Sequence, residues 1–191
     1  MTKEEIGLLF PIEILPSDEK WLELFENEKI LLAETLSNKV ALRIEHFGST
    51  AIPGLAAKPT IDILMEIDST EKQKAFMIEK MKTIRYDFIW RTDTPPPYMM
   101  FAKGYRADGK KEQTYHIHAA PKDHPLWDRL YFRDYLKQNH EVAKEYEQLK
   151  IKLATKHKYD REDYTNAKTE FVTRITELAK NLYSNPDDGR N

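Results

Sequence analysis

Apolar and polar positions along the chain change period several times, and those changes predict the elements. From Trp21, the apolar residues Trp21, Leu24, Phe25, Ile30, Leu31, Leu32 and Leu36 follow helical spacing and predict a helix of about five turns. Ser17 reads as its N-cap, with Asp18 and Glu19 in a first turn where the helix dipole favours acids, and Ser37-Asn38 as its end. Ahead of it, IGLLFPIEIL (6–15) reads as a short strand or a lead-in arm. In VALRIEHFG (40–48), Val40, Leu42 and Ile44 alternate with Ala41, Arg43 and Glu45, as in a half-buried strand. Arg43 and Glu45 share a face there and are expected to pair across the sheet. PTIDILMEI (59–67) is denser in apolar residues and reads as a central strand. A helix follows over 70–82, and IRYDFIW (84–90), PYMMFAKGY (97–105) and TYHIHAA (114–120) are further strands. The prolines at 95–97 mark a loop, and ADGKKEQ (107–113) marks a polar turn.

Beyond Pro121 the pattern becomes helical throughout. Asp123 is placed to cap a helix that holds Pro125 in its first turn and carries Leu126, Trp127, Leu130, Tyr131 and Tyr135. Asn139 is placed to cap a second helix, with Val142, Tyr146, Leu149 and Leu153 inward. Asp160 is placed to cap a third, with Tyr164, Phe171, Ile175, Leu178 and Leu182 inward. The ending SNPDDGRN (184–191) reads as a polar tail. The expected class is α/β (α+β): a mixed sheet flanked by helices, with a helical C-terminal third. One domain is expected over residues 1–183, its sheet part at about 10–120 and its helical part at about 123–183.

Composition narrows the function. Thirty basic and thirty-two acidic residues leave a net charge of −2, so no global field favours nonspecific nucleic acid or an anionic membrane surface. The absence of cysteine removes disulfides, thiolate nucleophiles and Cys-ligated zinc. No apolar run approaches the roughly 18 residues of a membrane span, and no signal-peptide layout is visible. A cytoplasmic protein is expected.

The candidate chemistry lies in IEHFGSTAIPGLAAKPTIDIL (44–64). A strand ending in Gly48-Ser49 and turning into a helix exposes backbone N–H groups suited to phosphate. The bland alternative is an ordinary strand-to-helix turn capped by Ser49. Asp62, between Ile61 and Ile63, carries a charge into a core-like strand, which is costly unless it is paired or bound to metal. The bland alternative is a structural carboxylate paired with Lys58 or an arginine. Neither a Gly-x-Gly-x-x-Gly fingerprint nor a Walker A loop is present.

Taken together, the Gly-Ser turn and an aspartate in an apolar strand thirteen residues on resemble the signature of the DNA polymerase β-like nucleotidyltransferase superfamily. More narrowly, HFGSTAIPGLAAKPTIDIL resembles the central motif of the GrpB family. That family also carries a His-x-His strand and a Phe-Arg-Asp-Tyr-Leu segment, present here as His116-Ile117-His118 and FRDYL (132–136). With the helix around Trp21 and EYEQLKIKLA (145–154), the resemblance covers roughly residues 10–180. It implies a nucleotidyltransferase-like fold in which Gly48, Ser49 and Thr50 hold phosphate and Asp62 binds a divalent metal (Mg, Mn or Zn). Fusions of family members to dephospho-CoA kinase imply a link to nucleotide or coenzyme metabolism.

The superfamily pattern wants a second carboxylate two residues after Asp62, and this chain has Leu64. Glu66 shares the face but lies about 13 Å along the strand, too far to replace it, and two-metal transfer needs ions roughly 3.5–4 Å apart. His116 and His118 share a strand face and admit three readings: ligands with Asp62 of one Zn²⁺ or Mn²⁺, hydrogen-bond donors to phosphate, or a surface pair. His124, His140 and His157 are expected on the surface. Lys58 and Arg133 are candidate phosphate-neutralising cations, Arg133 through a bidentate fork. Their alternatives are ion pairs, Lys58 with Asp62 and Arg133 with Asp134 or Asp128. Tyr98-Met99-Met100-Phe101 is either the floor of a base pocket or core. Two functions are expected: a binder of a nucleotide or other phosphorylated small molecule with metal-dependent nucleotidyl or phosphoryl transfer, and a binding module that has lost transfer. A third, with the helical C-terminal part as a protein-interaction surface, ranks last.

Overall fold

The structure is a computed structural model that describes residues 1–37, 40–68, 70–92 and 96–184. The expected helix end at Asn38 and the tail beyond residue 184 lie outside the described residues. In chain order the elements are α1 (Lys3–Leu9), α2 (Lys20–Leu36), β1 (Arg43–Phe47), β2 (Thr60–Glu66), α3 (Glu71–Thr83), β3 (Asp87–Arg91), β4 (Tyr98–Tyr105), β5 (Lys111–Ala120), α4 (Arg129–Gln138), α5 (His140–Lys156), α6 (Arg161–Asn166) and α7 (Thr169–Ser184). Single 3₁₀ turns at Ser49–Ala51 and Pro125–Asp128 complete the set. The strands form one mixed sheet in the order β1-β2-β5-β4-β3, with β2 and β5 parallel and the other pairs antiparallel. The expected α/β class with a helical C-terminal part is what the chain adopts.

Alternation assigns the two faces. Ile61, Ile63 and Met65 of β2, Tyr115 and Ile117 of β5, and Met99 and Phe101 of β4 pack beneath α2 and α3. From α2, Trp21, Phe25, Leu32 and Leu36 enter this core one or two turns apart, each contributing about 1.5–3 kcal/mol by burial. Ile30, expected in the same stripe, is on the exposed side. The opposite face carries Asp62 and Leu64 of β2 and His116 and His118 of β5, and the C-terminal helices cover it. Two apolar clusters floor it: Phe47, Leu64, Tyr98, Met100 and Leu126 in one, Ile52, Leu55, Phe132, Leu136, Tyr146 and Ile175 in the other. The Tyr98–Phe101 segment is thus core on both faces.

Several expectations need correction. Residues 3–9 are helical instead of extended, because Thr2 and Glu5 close a reciprocal capping box and Glu4 and Glu5 sit at the positive end of α1. The extended part of the lead-in is a bridge of Leu15 to Ala57. Ser17 does not cap α2: its hydroxyl accepts from Gly54 N–H (3.1 Å), while Asp18 accepts from Lys20 N–H (3.0 Å). The helix after Pro121 begins as a 3₁₀ turn capped by His124, not Asp123. His124 is accordingly buried, its Nε2 donating to the Pro96 carbonyl (2.8 Å). The third C-terminal helix is two, α6 and α7, interrupted at Ala167-Lys168; Asp160 caps α6 by accepting from Asp163 N–H (2.9 Å). Among the described residues, no helix is long and apolar enough to cross a membrane.

Two buried polar arrangements lock the layers. Glu28, inside the α2 core, accepts from Tyr86 (3.0 Å) and from Lys103, whose ammonium lies over Tyr86 and Tyr115. On the other face, α5 grips the chain entering β2: Glu147 accepts from Ala56 N–H (2.7 Å), and Lys150 donates to the Ala56 carbonyl. Lys150 is buried, and burial pulls its ammonium down to about 7. Removing one partner of the Glu28–Lys103 pair leaves a buried charge uncompensated, so Glu28→Ala is expected to cost about 3–5 kcal/mol. Urea unfolding measures this, and the double change Glu28→Leu with Lys103→Leu should recover most of the loss.

Candidate functional site

The parallel pairing of β2 with β5 builds the site. It sets Asp62 beside His116 and Leu64 beside His118, all on the face covered by the C-terminal helices. One carboxylate oxygen and one imidazole nitrogen from each histidine lie within 4.8 Å of one another. Asp62 Oδ1 is 3.5 Å from His116 Nδ1. Burial pushes the Asp62 carboxyl up, but the His116 hydrogen bond and the charges of His116, Lys58 and His118 outweigh it and hold the group at about 2. Both imidazoles are pushed down, chiefly by burial; nearby Asp62 opposes this for each, and Lys58 and Arg161 add to it for His116, as Arg129 does for His118. At neutral pH the trio is one carboxylate and two uncharged imidazoles. That donor set fits a borderline cation such as Zn²⁺ better than Mg²⁺.

Gly48 closes the site from above. Its φ of +73° is the left-handed region, and a Cβ there would stand 2.5 Å from Asp62 Oδ2 and 3.0 Å from Asp62 Cβ. The glycine thus lets the turn lie directly on the carboxylate. The expected helix after Gly48-Ser49 is only the 3₁₀ turn Ser49–Ala51, too short for an appreciable helix dipole. Ser49 is half-buried beside Tyr146. Thr50 turns inward: its hydroxyl donates to the Thr60 carbonyl (3.1 Å) and receives His46 Nε2–H (3.1 Å). That ring stacks on Phe25 (4.6 Å, 13°) in the core beneath α2, and burial lowers the imidazole to about 4.

The cations divide into two groups. Arg133 donates to Asp134 (2.7 and 3.0 Å), to Glu45 (3.0 Å) and to the His46 carbonyl (2.8 Å), so its fork joins α4 to β1. Glu45 also pairs with Arg43 on its own strand (2.9 Å) rather than across the sheet. Lys58 behaves differently. It feels Asp62 yet makes no ion pair among the described residues, and burial with Arg161 and Lys168 nearby pulls it down to about 7. Lys168, in the break between α6 and α7, is pulled down to about 8 by burial and the charges of Arg129 and Arg161, with Asp62 opposing. Sequence reasoning passed over Lys168, Arg161 and Arg129, because no local spacing links the helical part to Asp62.

Leu64, in the place of a second carboxylate, is 1% exposed and packs with Phe47, Tyr98 and Met100. Glu66 lies opposite Arg43, at the far end of β2.

The family described as GrpB protein matches residues 11–178. The chain belongs to the GrpB family. Glutamate-rich protein GrpB of Alkalihalophilus pseudofirmus is 37% identical over 163 residues, covering 85% of this chain and 92% of that protein. UPF0157 protein YqkA of Bacillus subtilis is 37% identical over 171 residues, 88% of this chain; the chain spans about half of that relative, 47% of its length. Among solved structures, conserved protein GrpB from Enterococcus faecalis superposes with a TM-score of 0.77 at 29% identity, covering 90% of this chain and 99% of that one. The GrpB fold is therefore the fold of this chain.

Gly48→Ala is expected to destabilise by about 1–2 kcal/mol from the backbone conformation alone, with a further loss as Asp62 is pushed aside, read by thermal and urea unfolding. Folded His46 titrates near 4 and an unfolded imidazole near 6.5, so between those values protons enter the unfolded chain preferentially. The His46 contribution to stability should be fully present above pH 6.5 and be lost toward pH 4, a loss on the order of 2–3 kcal/mol. His116 and His118 act in the same direction, so His46→Gln should flatten part of the slope in urea midpoints measured against pH.

Proposed function

We propose that this chain binds a phosphorylated small molecule, with a nucleotide or nucleotide-like coenzyme as the favoured class, at a single-metal centre of Asp62, His116 and His118 on a nucleotidyltransferase-like fold. The observation that carries this reading is the convergence of those three side chains next to two lysines, Lys58 and Lys168, that have no ion-pair partner among the described residues. Semi-buried ammonium groups without a counter-ion are costly, and an anionic ligand supplies what they lack. In this reading a bound metal supplies Lewis-acid neutralisation of phosphate oxygens. Lys58 and Lys168 take the remaining phosphate charge, and Gly48 and Ser49 let the turn approach closely. Arg133 and Thr50 then support the turn and strand instead of touching the ligand. A cytoplasmic setting fits such a ligand.

Binding is favoured over transfer because of Leu64. Two-metal phosphoryl transfer needs a second acidic ligand next to Asp62, and that position is filled by tightly packed side chain. Thermal shift and calorimetry with Zn²⁺, Mn²⁺ and Mg²⁺, each with ATP, coenzyme A or inorganic phosphate, test the reading, with product analysis of the same mixtures. Zn²⁺ or Mn²⁺ should stabilise the protein, and Asp62→Asn or His118→Ala should abolish that response. Lys168→Ala should weaken the phosphorylated ligand about tenfold or more while leaving metal affinity unchanged. Absence of both metal and ligand binding would sink the proposal, and a metal-dependent product would replace binding with transfer.

A further inference from the structure

Upstream of Gly104, β4 alternates regularly. Met99, Phe101 and Lys103 face α2 and α3, while Tyr98, Met100 and Ala102 face the histidines. By that alternation Tyr105 belongs beneath α2 and α3 with Lys103. The ladder is broken instead: the register shifts between Lys103 and Tyr105, with Gly104 at φ +95°. A Cβ on Gly104 would meet the Gln113 carbonyl oxygen at 2.3 Å, so only glycine fits this bulge. Its effect is to turn Tyr105 over to the other face, as bulges do when they re-aim a side chain. There the phenol stacks on His116 (5.7 Å, 21°) with its hydroxyl 2.8 Å from Nε2. Arg161 holds the phenol from the far side, donating to its oxygen (2.8 Å) and to the Phe10 carbonyl (2.8 Å). At the other end of β4, Tyr98 stacks on His118 (5.5 Å, 29°) with its hydroxyl 3.2 Å from Nδ1.

Each imidazole therefore has one nitrogen engaged by a β4 tyrosine, and not the same nitrogen. We propose that Tyr105 and Tyr98 are positioning residues for the metal centre, committing His116 to ligate through Nδ1 and His118 through Nε2. A hydrogen bond from the outer nitrogen fixes the tautomer and the ring orientation and strengthens the ligating one. The inference rests on the metal-centre reading above and adds to it which atoms bind and what aims them. Arg161 extends the support to α6 and, through Phe10, to the N-terminal lead-in. The bulge explains why an otherwise regular strand contains Gly104.

The test uses the full chain with Zn²⁺ alone as the probe. Zinc affinity is measured by competition with a chromophoric chelator, and the zinc-loaded imidazoles are read by ¹⁵N NMR. Tyr105→Phe and Tyr98→Phe keep the stacked rings, so both should fold, with metal-free melting close to wild type. Each should bind zinc about 10–100-fold more weakly, while Tyr131→Phe, remote from the centre, should bind as wild type does. The spectra of the wild-type protein should show His116 coordinated through Nδ1 and His118 through Nε2. Undiminished zinc affinity in both tyrosine variants, or coordination of both histidines through the same nitrogen, overturns this inference and leaves the metal centre standing. A wild-type chain that takes up no zinc overturns both.

Discussion

The constraint on which this structure turns is a carboxylate set among β-branched residues on an interior strand. Asp62 has Ile61 and Ile63 as neighbours and lies between β1 and β5, where an unpaired charge is not tolerated. Its surroundings answer that constraint one by one. The parallel register brings His116 alongside, Gly48 gives up its side chain so that the preceding turn seats against the oxygens, and Lys58 just ahead of β2 and Lys168 from the helical part supply positive potential. Removing Asp62 would leave each of these features without an evident purpose.

The same face shows where the site stops. Two residues past Asp62 the strand becomes ordinary core, with Leu64 under Phe47, Tyr98 and Met100. Polar and apolar halves of one sheet face meet between His118 and Leu64, which are directly opposite in the register. A boundary this sharp lowers the local dielectric around the histidines, keeping both imidazoles neutral and their nitrogens available. The apolar packing that fills the place of a second acid thus also tunes the two imidazoles.

Much of this was legible in the sequence. The strand segments are visible in the apolar pattern, alternating around β1 and dense in β2, and the family resemblance singles out Gly48, Asp62, His116 and His118. What stayed hidden depends on long-range placement. The capping box of Thr2 and Glu5 is a local signal in the sequence, ahead of a segment that otherwise reads as a short strand or a lead-in arm. Gly104 inside a strand pattern was a second readable sign, since such a glycine marks a bulge; it would have pointed to Tyr105. Lys168 and Arg161 carried no such sign. They reach the site only because α6 and α7 fold back over the sheet, and no spacing rule spans that distance.

The grip of Glu147 and Lys150 on Ala56 has a wider meaning. A residue's N–H and C=O normally find their partners in neighbouring backbone, but at Ala56 one helix supplies acceptor and donor from side chains a turn apart. Helix α5 thereby stands in for a missing strand along the segment that joins the glycine turn to β2. The two parts of the chain are sewn together at a single residue, so the helical C-terminal part is no interchangeable appendage. Descent can vary its exposed surface freely, yet cannot trade it for an unrelated helical module without unfastening the loop that leads into Asp62.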